Sequence, residues 1–319
     1  MFNIDSSSPM ITILFSPKPF VGDNAINQRI ALSSWRRVFP NAELLCYGDG
    51  DGVAKACEEF SARQICELPL TNTGAPRFDW IVHHAEREAK FDLQMFINAD
   101  IFLLPHFADS LTKIPFDSFL AVSDRLNVPE SLLRNGTDDD LKDRLISLID
   151  NEEASLNGGG GSDLFVFRRG FWETVPELAV GRAVYDNALM AYCIIQDAPL
   201  IDVTNAALCL HPKHGYSHVK GGWNTVYQGE DVKKNREILG TASIPCLCDA
   251  SHLLFPDGLH RNRQFHGFPH RLLVRTQLLH PRNYLLRFFA RAFHFLLTRV
   301  GIGRPHVWNA RQILTELDL

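Results

Sequence analysis

The residues Phe91-Asp92-Leu93-Gln94-Met95-Phe96-Ile97-Asn98-Ala99-Asp100-Ile101-Phe102 decide how the rest of the chain is read. Met95, Phe96 and Ile97 form a short apolar run of the kind that makes a strand buried on both faces, and the run stops on Asn98-Ala99-Asp100. Polar side chains leaving the carboxyl end of such a strand enter the crevice where open α/β sheets hold their ligands. An isolated Asn-x-Asp is an ordinary strand end closed by an Asx turn, so its meaning depends on what surrounds it.

Upstream, Ile11–Phe15 reads as a β-branched strand, and Ser16-Pro17-Lys18-Pro19 holds the chain extended just past its end. Asp23 or Asn24 is placed to cap a helix carrying Ile26, Ile30, Trp35 and Val38, which Pro40 stops. Ala42–Tyr47 is a second strand. The turn Gly48-Asp49-Gly50-Asp51-Gly52 lacks the later ligands and closing glutamate of a calcium loop, so it reads as a strand-to-helix turn. A helix over Val53–Phe60, a strand over Gln64–Leu68, a loop Thr71–Pro76 and a helix Phe78–Lys90 follow; His83 and His84, beside Glu86, Arg87 and Glu88, are expected on its solvated face. Strands alternating with helices up to Ile97 are the signature of an α/β fold with a parallel sheet and right-handed crossovers. Neither G-x-G-x-x-G nor G-x-x-x-x-G-K-[ST] occurs, which removes the main support for a nicotinamide or P-loop site.

Downstream, Phe119–Ser123 is a strand, and Asn135–Glu153 a helix whose Asp138, Asp139 and Asp140 suit the positive end of its dipole better than a metal. Gly158-Gly159-Gly160-Gly161-Ser162-Asp163 borders a cleft or hinge ahead of a strand at Leu164–Phe167. Gly181–Gln196 reads as a helix with the polar cluster Tyr185-Asp186-Asn187 interrupting its apolar face. Two short strands between Ile201 and Leu210 lead to His211, His214 and His218, three imidazoles within eight residues and hence candidate metal ligands.

A chain of 319 residues, 45% apolar and 22% charged, can bury one generous core plus an appendage. A net charge of -5 gives no general reason to expect nucleic acid as a partner. Seven cysteines without a repeating spacing suit reduced thiols in a cytoplasmic compartment, and the first eight residues do not read as a signal peptide. Cys246-x-Cys248 is too close to be half of a zinc knuckle and has no partner pair, so no metal is expected there.

Taken together, Pro17-Lys18-Pro19-Phe20, Gly48-Asp49, Asn98-Ala99-Asp100, Gly181-Arg182, Tyr185-Asp186-Asn187 and the histidines from His211 resemble the nucleotide-diphospho-sugar transferases of the GT-A fold, over about Ile11 to Leu239. The resemblance implies a Rossmann-like α/β domain over residues 1–240, with a mainly parallel central sheet flanked by helices; beyond it the residue pattern changes and reads as a helical C-terminal extension over 241–319. It implies a metal-dependent glycosyltransferase that takes a nucleotide-diphospho-sugar donor and a glycan or glycolipid acceptor. In that superfamily an acidic D-x-D element holds a divalent ion, manganese or magnesium, that bridges the donor phosphates; here Asn98 replaces its first aspartate. Asp100 with one histidine, His211 in preference to His214, would then hold the metal, while Pro17, Lys18, Asp49, Asn98 and Arg182 contact the donor. Asp186 would serve as the acceptor's general base, and Asp163 would contact donor sugar or acceptor. A nucleotidyltransferase, and a sugar or nucleotide binding module without catalysis, are the alternatives.

The extension carries its own pattern. Arg275, Arg282, Arg287, Arg291 and Arg299 are interleaved with leucines and phenylalanines; Arg287 and Arg291 share one helix side with His294, and Leu285, Phe289, Phe293 and Leu296 the other. The arginines break every run long enough to span a bilayer. The segment 271–300 therefore either packs on the catalytic domain or lies on the anionic inner face of a membrane.

Overall fold

A computed structural model describes residues 9–134, 140–213, 221–240, 243–301 and 308–317. His214, His218, Asp138 and Asp139 lie outside the described residues. The strands in chain order are β1 (Ile11–Phe15), β2 (Glu43–Tyr47), β3 (Arg63–Ile65), β4 (Leu93–Ile97), β5 (Phe102–Leu103), β6 (Leu120–Val122), β7 (Arg125–Val128), β8 (Ser155–Leu156), β9 (Leu164–Arg168), β10 (Leu200–Asp202), β11 (Cys209–Pro212), β12 (His252–Phe255) and β13 (Gly258–Arg261).

Nine of them form one sheet in the order β13-β12-β10-β6-β9-β4-β1-β2-β3, and β5-β11-β7-β8 form a smaller one. In the large sheet β9 runs against β4 and β6, and β13 against β12; every other neighbouring pair is parallel. This is the expected α/β class. Alternation along the central strands divides the core between two faces. Ile11, Ile13, Phe15, Met95, Ile97, Leu164 and Val166 pack on one, beneath the helix Gly22–Val38. Leu14, Phe96, Phe165 and Phe167 pack on the other, beneath the helices Phe78–Glu88 and Tyr185–Ile195. Because both faces are covered, these strands read as continuous apolar runs.

The boundary expected at residue 240 does not separate two cores. β12 pairs in parallel with β10, so residues 252–261 extend the central sheet. Leu254 joins the first core face, Leu247, Ala250 and Val274 the second, and Ala310, Ile313 and Leu314 close the small sheet's core.

Local expectations also change. Neither Asp23 nor Asn24 caps the first helix: it begins at Gly22 after an extended Val21, and Asp23 lies in its first turn, paired with Arg134 at 3.0 Å. His83 and His84 are packed instead of solvated, with His83 Nε2 3.0 Å from the Trp172 carbonyl and His84 stacked on Trp80 and 3.2 Å from the Tyr47 hydroxyl. The helix expected from Gly181 starts only at Tyr185, because Gly181 and Val184 both take left-handed backbone angles. In the extension, the helices Phe268–Leu279 and Tyr284–Arg299 pack together, but Arg287, Ala290, His294 and Leu297 lie on the second helix's inward side. Its expected packing face, Leu285, Phe289, Phe293 and Leu296, is exposed.

Candidate active site

The carboxyl ends of β1, β2, β4 and β6 share one edge of the sheet, and the amino end of the reversed β9 joins them there. A cleft of about 720 Å³ opens along that edge, within the range of ligand sites. It is lined by the described residues singled out in the sequence: Pro17, Lys18, Asp49, Asn98, Asp100, Asp163, Arg182, Asp186 and His211.

The loop after β1 is held from below, since the Gln28 amide accepts from the Lys18 backbone N–H at 2.8 Å and donates to the Lys18 carbonyl at 3.0 Å. This aims the Lys18 side chain across the crevice, where Nζ meets Asp100 Oδ2 at 2.7 Å. Asp100 itself is 7% exposed, and the residue after it is anchored by Trp35 Nε1, which donates to the Ile101 carbonyl at 2.7 Å.

Register accounts for the next contacts. β4 and β9 pair Ile97 with Leu164, so Asn98 and Asp163 face each other just beyond the ladder. The Asn98 backbone N–H donates to the Asp163 carbonyl at 2.9 Å, and its side-chain amide donates to Asp163 Oδ1 at 2.5 Å. Arg125 forms an ion pair with the second Asp163 oxygen and donates through Nε to Asn127 Oδ1 at 3.2 Å. That same oxygen lies 3.1 Å from His211 Nδ1, because β11 pairs His211 with Asn127. The acceptor oxygen places the imidazole proton on Nδ1 and the lone pair on Nε2, an orientation suited to a metal ligand.

The glycine stretch is a floor pinned by two carboxylates. Asp124 Oδ2 accepts from the N–H groups of Gly158 and Gly159, each at 3.0 Å, and Asp186 Oδ2 accepts from Ser162 N–H at 2.8 Å. A Cβ at Gly161 would stand 3.2 Å from Asp186 Oδ2, so glycine permits the loop to lie against that carboxylate. Asn187 ties the same floor to the chain beyond 240, donating to the carbonyls of Gly160 and Pro245 at 3.0 and 2.8 Å. Burial pushes the Asp186 carboxyl up to about 6 against the opposing pull of its backbone N–H donors, and burial does the same to Asp124. Val184, a β-branched residue at φ 76°, supplies strained backbone immediately before Tyr185 and Asp186.

Arg182 is 8% exposed; its Nε is 3.9 Å from the buried Asp231, which Thr71 and Thr73 also contact through their hydroxyls. Burial lowers the Arg182 guanidinium's pKa, partly offset by Asp231. Asp49 is exposed at the cleft rim.

A divalent cation fits this arrangement in the manner of magnesium, which is commonly bound by one or two carboxylates together with substrate phosphates. Asp100 offers the carboxylate and His211 an oriented imidazole. Among the described residues these two are not part of any cluster of three or more His, Cys, Asp or Glu ligands, so donor oxygens would complete the shell. Sequence reading missed Asp124, Arg125 and Gln28. The signal for the first two was present, since Asp124-Arg125 leaves the carboxyl end of β6 as Asn98-Ala99-Asp100 leaves β4.

No family model matches the chain, and no curated protein matches it. Solved structures do. The mannosyltransferase PcManGT from Pyrobaculum calidifontis, in complex with GDP-Man and Mn2+, is 13% identical over 93% of this chain and 77% of its own, with a TM-score of 0.47. S. aureus TarS 1-349 in complex with UDP-GlcNAc is 11% identical over 95% and 97%, with a TM-score of 0.48. Glucosyl-3-phosphoglycerate synthase from Mycobacterium tuberculosis, in complex with Mg2+ and UDP, is 12% identical over 79% and 86%, with a TM-score of 0.41. The likeness is one of layout.

Replacing Asp124 by alanine leaves the N–H groups of Gly158, Gly159 and Arg125 without their acceptor. Gly158 is exposed and Gly159 and Arg125 are half-buried, so water restores much of the roughly 1–3 kcal/mol that a fully buried donor would lose, and urea denaturation at about pH 5, where the Asp124 carboxyl carries little charge, is expected to show a loss of about 1 kcal/mol. Faster amide exchange confined to the glycine stretch is expected alongside it.

Proposed function

We propose that the chain is a glycosyltransferase that binds a nucleotide-diphospho-sugar in this cleft and transfers the sugar to a glycan or glycolipid acceptor. The observation that carries the reading is the meeting, at one sheet edge, of the Lys18–Asp100 pair with the Asn98–Asp163–Arg125 chain of contacts. A nucleoside diphosphate leaves poorly until its charge is neutralised. Lys18 and Arg182 supply cationic groups, and a manganese or magnesium ion on Asp100 and His211 would neutralise the diphosphate oxygens. With the carboxylate so engaged, the Lys18 ammonium would turn toward phosphate. Asp163, fixed by Asn98 and Arg125, faces the sugar, and Asp49 and Pro17 border the nucleotide end. Asp186 takes the acceptor hydroxyl's proton; with its pKa about 6 it is ionised at neutral pH and retains some basicity.

A second reading, binding without catalysis, draws on the same contacts: the Asn98 amide is committed to Asp163 and Lys18 neutralises Asp100. A nucleotidyltransferase is less well served, because the loop after β1 has a single cation and no glycine.

Thermal unfolding with UDP or GDP, with and without manganese, tests donor binding. A ligand at about 100 times its dissociation constant adds about 2.7 kcal/mol to the native state. Asp100→Ala is expected to lose the manganese-dependent part of that gain and to keep the unliganded melting temperature. Stabilisation by a nicotinamide cofactor in place of the nucleotides would end this reading.

Asp186→Asn is expected to lower kcat at least about a hundredfold, as for loss of a positioned base, with donor affinity within about threefold. Since the ionised form is the base, wild-type kcat/KM rises with pH through about 6 and then levels, and the variant lacks that limb. An unchanged kcat would make Asp186 only the anchor of Ser162, and turnover lost with wild-type binding in every variant would favour the binding module.

Between Asp257 and Glu316 the sequence holds ten arginines and neither lysine, aspartate nor glutamate. The helix Tyr284–Arg299 turns Leu285, Phe288, Phe289, Phe295 and Leu296 outward, each more than half exposed. No helix among the described residues is long and apolar enough to cross a membrane. An apolar helix face in an arginine-rich, acid-free segment suits the surface of an anionic bilayer, where each basic residue contributes about 1 kcal/mol. The chain is expected to sediment with phosphatidylserine vesicles and not with neutral ones, and Phe289→Glu with Leu296→Glu is expected to abolish this while sparing turnover of a soluble acceptor. Concentration-dependent dimerisation without sedimentation would assign the face to a second copy.

A further inference from the structure

The turn Cys246-Leu247-Cys248-Asp249 runs under the cleft floor, where Leu247 N–H donates to the Gly159 carbonyl at 3.1 Å. Its two sulfurs lie 2.9 Å apart, unbonded and free of any disulfide. The helix Phe268–Leu279 begins against it and delivers His270, whose Nδ1 is 3.4 Å from Cys248 Sγ and 2.9 Å from Asp249 Oδ1. The other Asp249 oxygen accepts from Cys246 N–H at 2.9 Å, which fixes the carboxylate, and Asp249 is wholly buried. One ligand atom from each of Cys246, Cys248, Asp249 and His270 lies within 4.8 Å of all the others. The approach depends on Gly267, where a Cβ would stand 3.2 Å from the Cys248 carbonyl oxygen. His294, from the outer helix, has its Nδ1 buried without a partner and its ring 5.8 Å from that of His270.

We propose that Cys246, Cys248, Asp249 and His270 form a structural zinc site, separate from the donor cleft. Two thiolates, an imidazole and a carboxylate are a borderline-soft set that prefers zinc over magnesium or manganese, and four protein ligands leave no open position for catalysis. Bonds of about 2.3 Å to sulfur at tetrahedral angles require the sulfurs to open to roughly 3.8 Å, a small rotation of two side chains in a turn. Binding expels the two thiol protons and displaces the proton between His270 and Asp249, so affinity falls as pH falls. The sequence expectation that Cys246-x-Cys248 has no metal partner is corrected here, because the partners are an aspartate one residue on and a histidine on a helix that follows a β-hairpin. The ion would clamp together the turn under Gly159 and the first helix of the extension.

The test uses the full chain, reduced and purified without chelator. Elemental analysis is expected to find about one zinc per chain, as for a closed four-ligand site. Exchange for cobalt is expected to give tetrahedral d–d bands with a sulfur-to-metal charge-transfer band, which the oxygen-rich donor cleft cannot produce. Cys248→Ser and His270→Ala are each expected to lose zinc, whereas Asp100→Ala keeps it. Wild-type protein that retains no zinc, a cobalt spectrum without sulfur charge transfer, or a Cys246–Cys248 disulfide isolated in place of the metal would each overturn the assignment, and these readings require no variant to fold.

Discussion

The antiparallel pairing of β9 with β4 is the constraint on which the rest of the cleft depends. A fully parallel sheet would send only strand carboxyl ends to the ligand edge. Reversing one central strand brings an amino end there as well, and the Ile97–Leu164 register sets Asp163 against Asn98. Arg125 then has a buried carboxylate to pair with, Asn127 is oriented by Arg125, and His211 is oriented by Asn127. A one-residue slip of that register would move Asp163 away from Asn98 and break both of the hydrogen bonds between them.

Charge in the cleft is held in a deliberately costly state. Asp124 and Asp186 are nearly buried, and burial outweighs their N–H donors, so each titrates near 6. A carboxyl whose folded pKa lies above its unfolded value contributes a stability penalty that grows as pH rises from the unfolded pKa to the folded one. The chain accepts that penalty at neutral pH, and what it gains is a glycine stretch pinned by two carboxylates. Lys18 and Asp100 illustrate the complementary device, in which two opposite charges at the cleft neutralise each other.

The extension is part of the same machine. Its hairpin finishes the central sheet, its turn supports Gly159, and Pro245 accepts from Asn187 beside Asp186. Changes at the outer helix therefore have a short packed route to the Asp186 side of the cleft. Metal content at the cysteine turn and the pH profile of Asp186 are read by different experiments, so the two proposals stand independently.

The sequence by itself determined the strands that become β1, β2, β3, β4, β6 and β9 and the edge at which the cleft opens, whereas β5, β7, β8 and the hairpin β12–β13 went unread. Apolar runs ending on polar residues at Phe15, Tyr47 and Ile97 are local signals, as are glycines at turns, and they placed Lys18, Asp49, Asn98 and Asp100 on one cleft. Tertiary structure alone decided which of these touch. Lys18 meets Asp100 across 82 positions, Asn98 meets Asp163 across 65, and Asp249 meets His270 across 21. Such contacts follow from strand order and register, which depend on how the whole core closes and leave no mark in any single window of residues. The same holds for the outer helix. Its amphipathic period was plain in the sequence, but which side faces the protein was settled by the packing of Ala290 and His294, and that turned the apolar face outward.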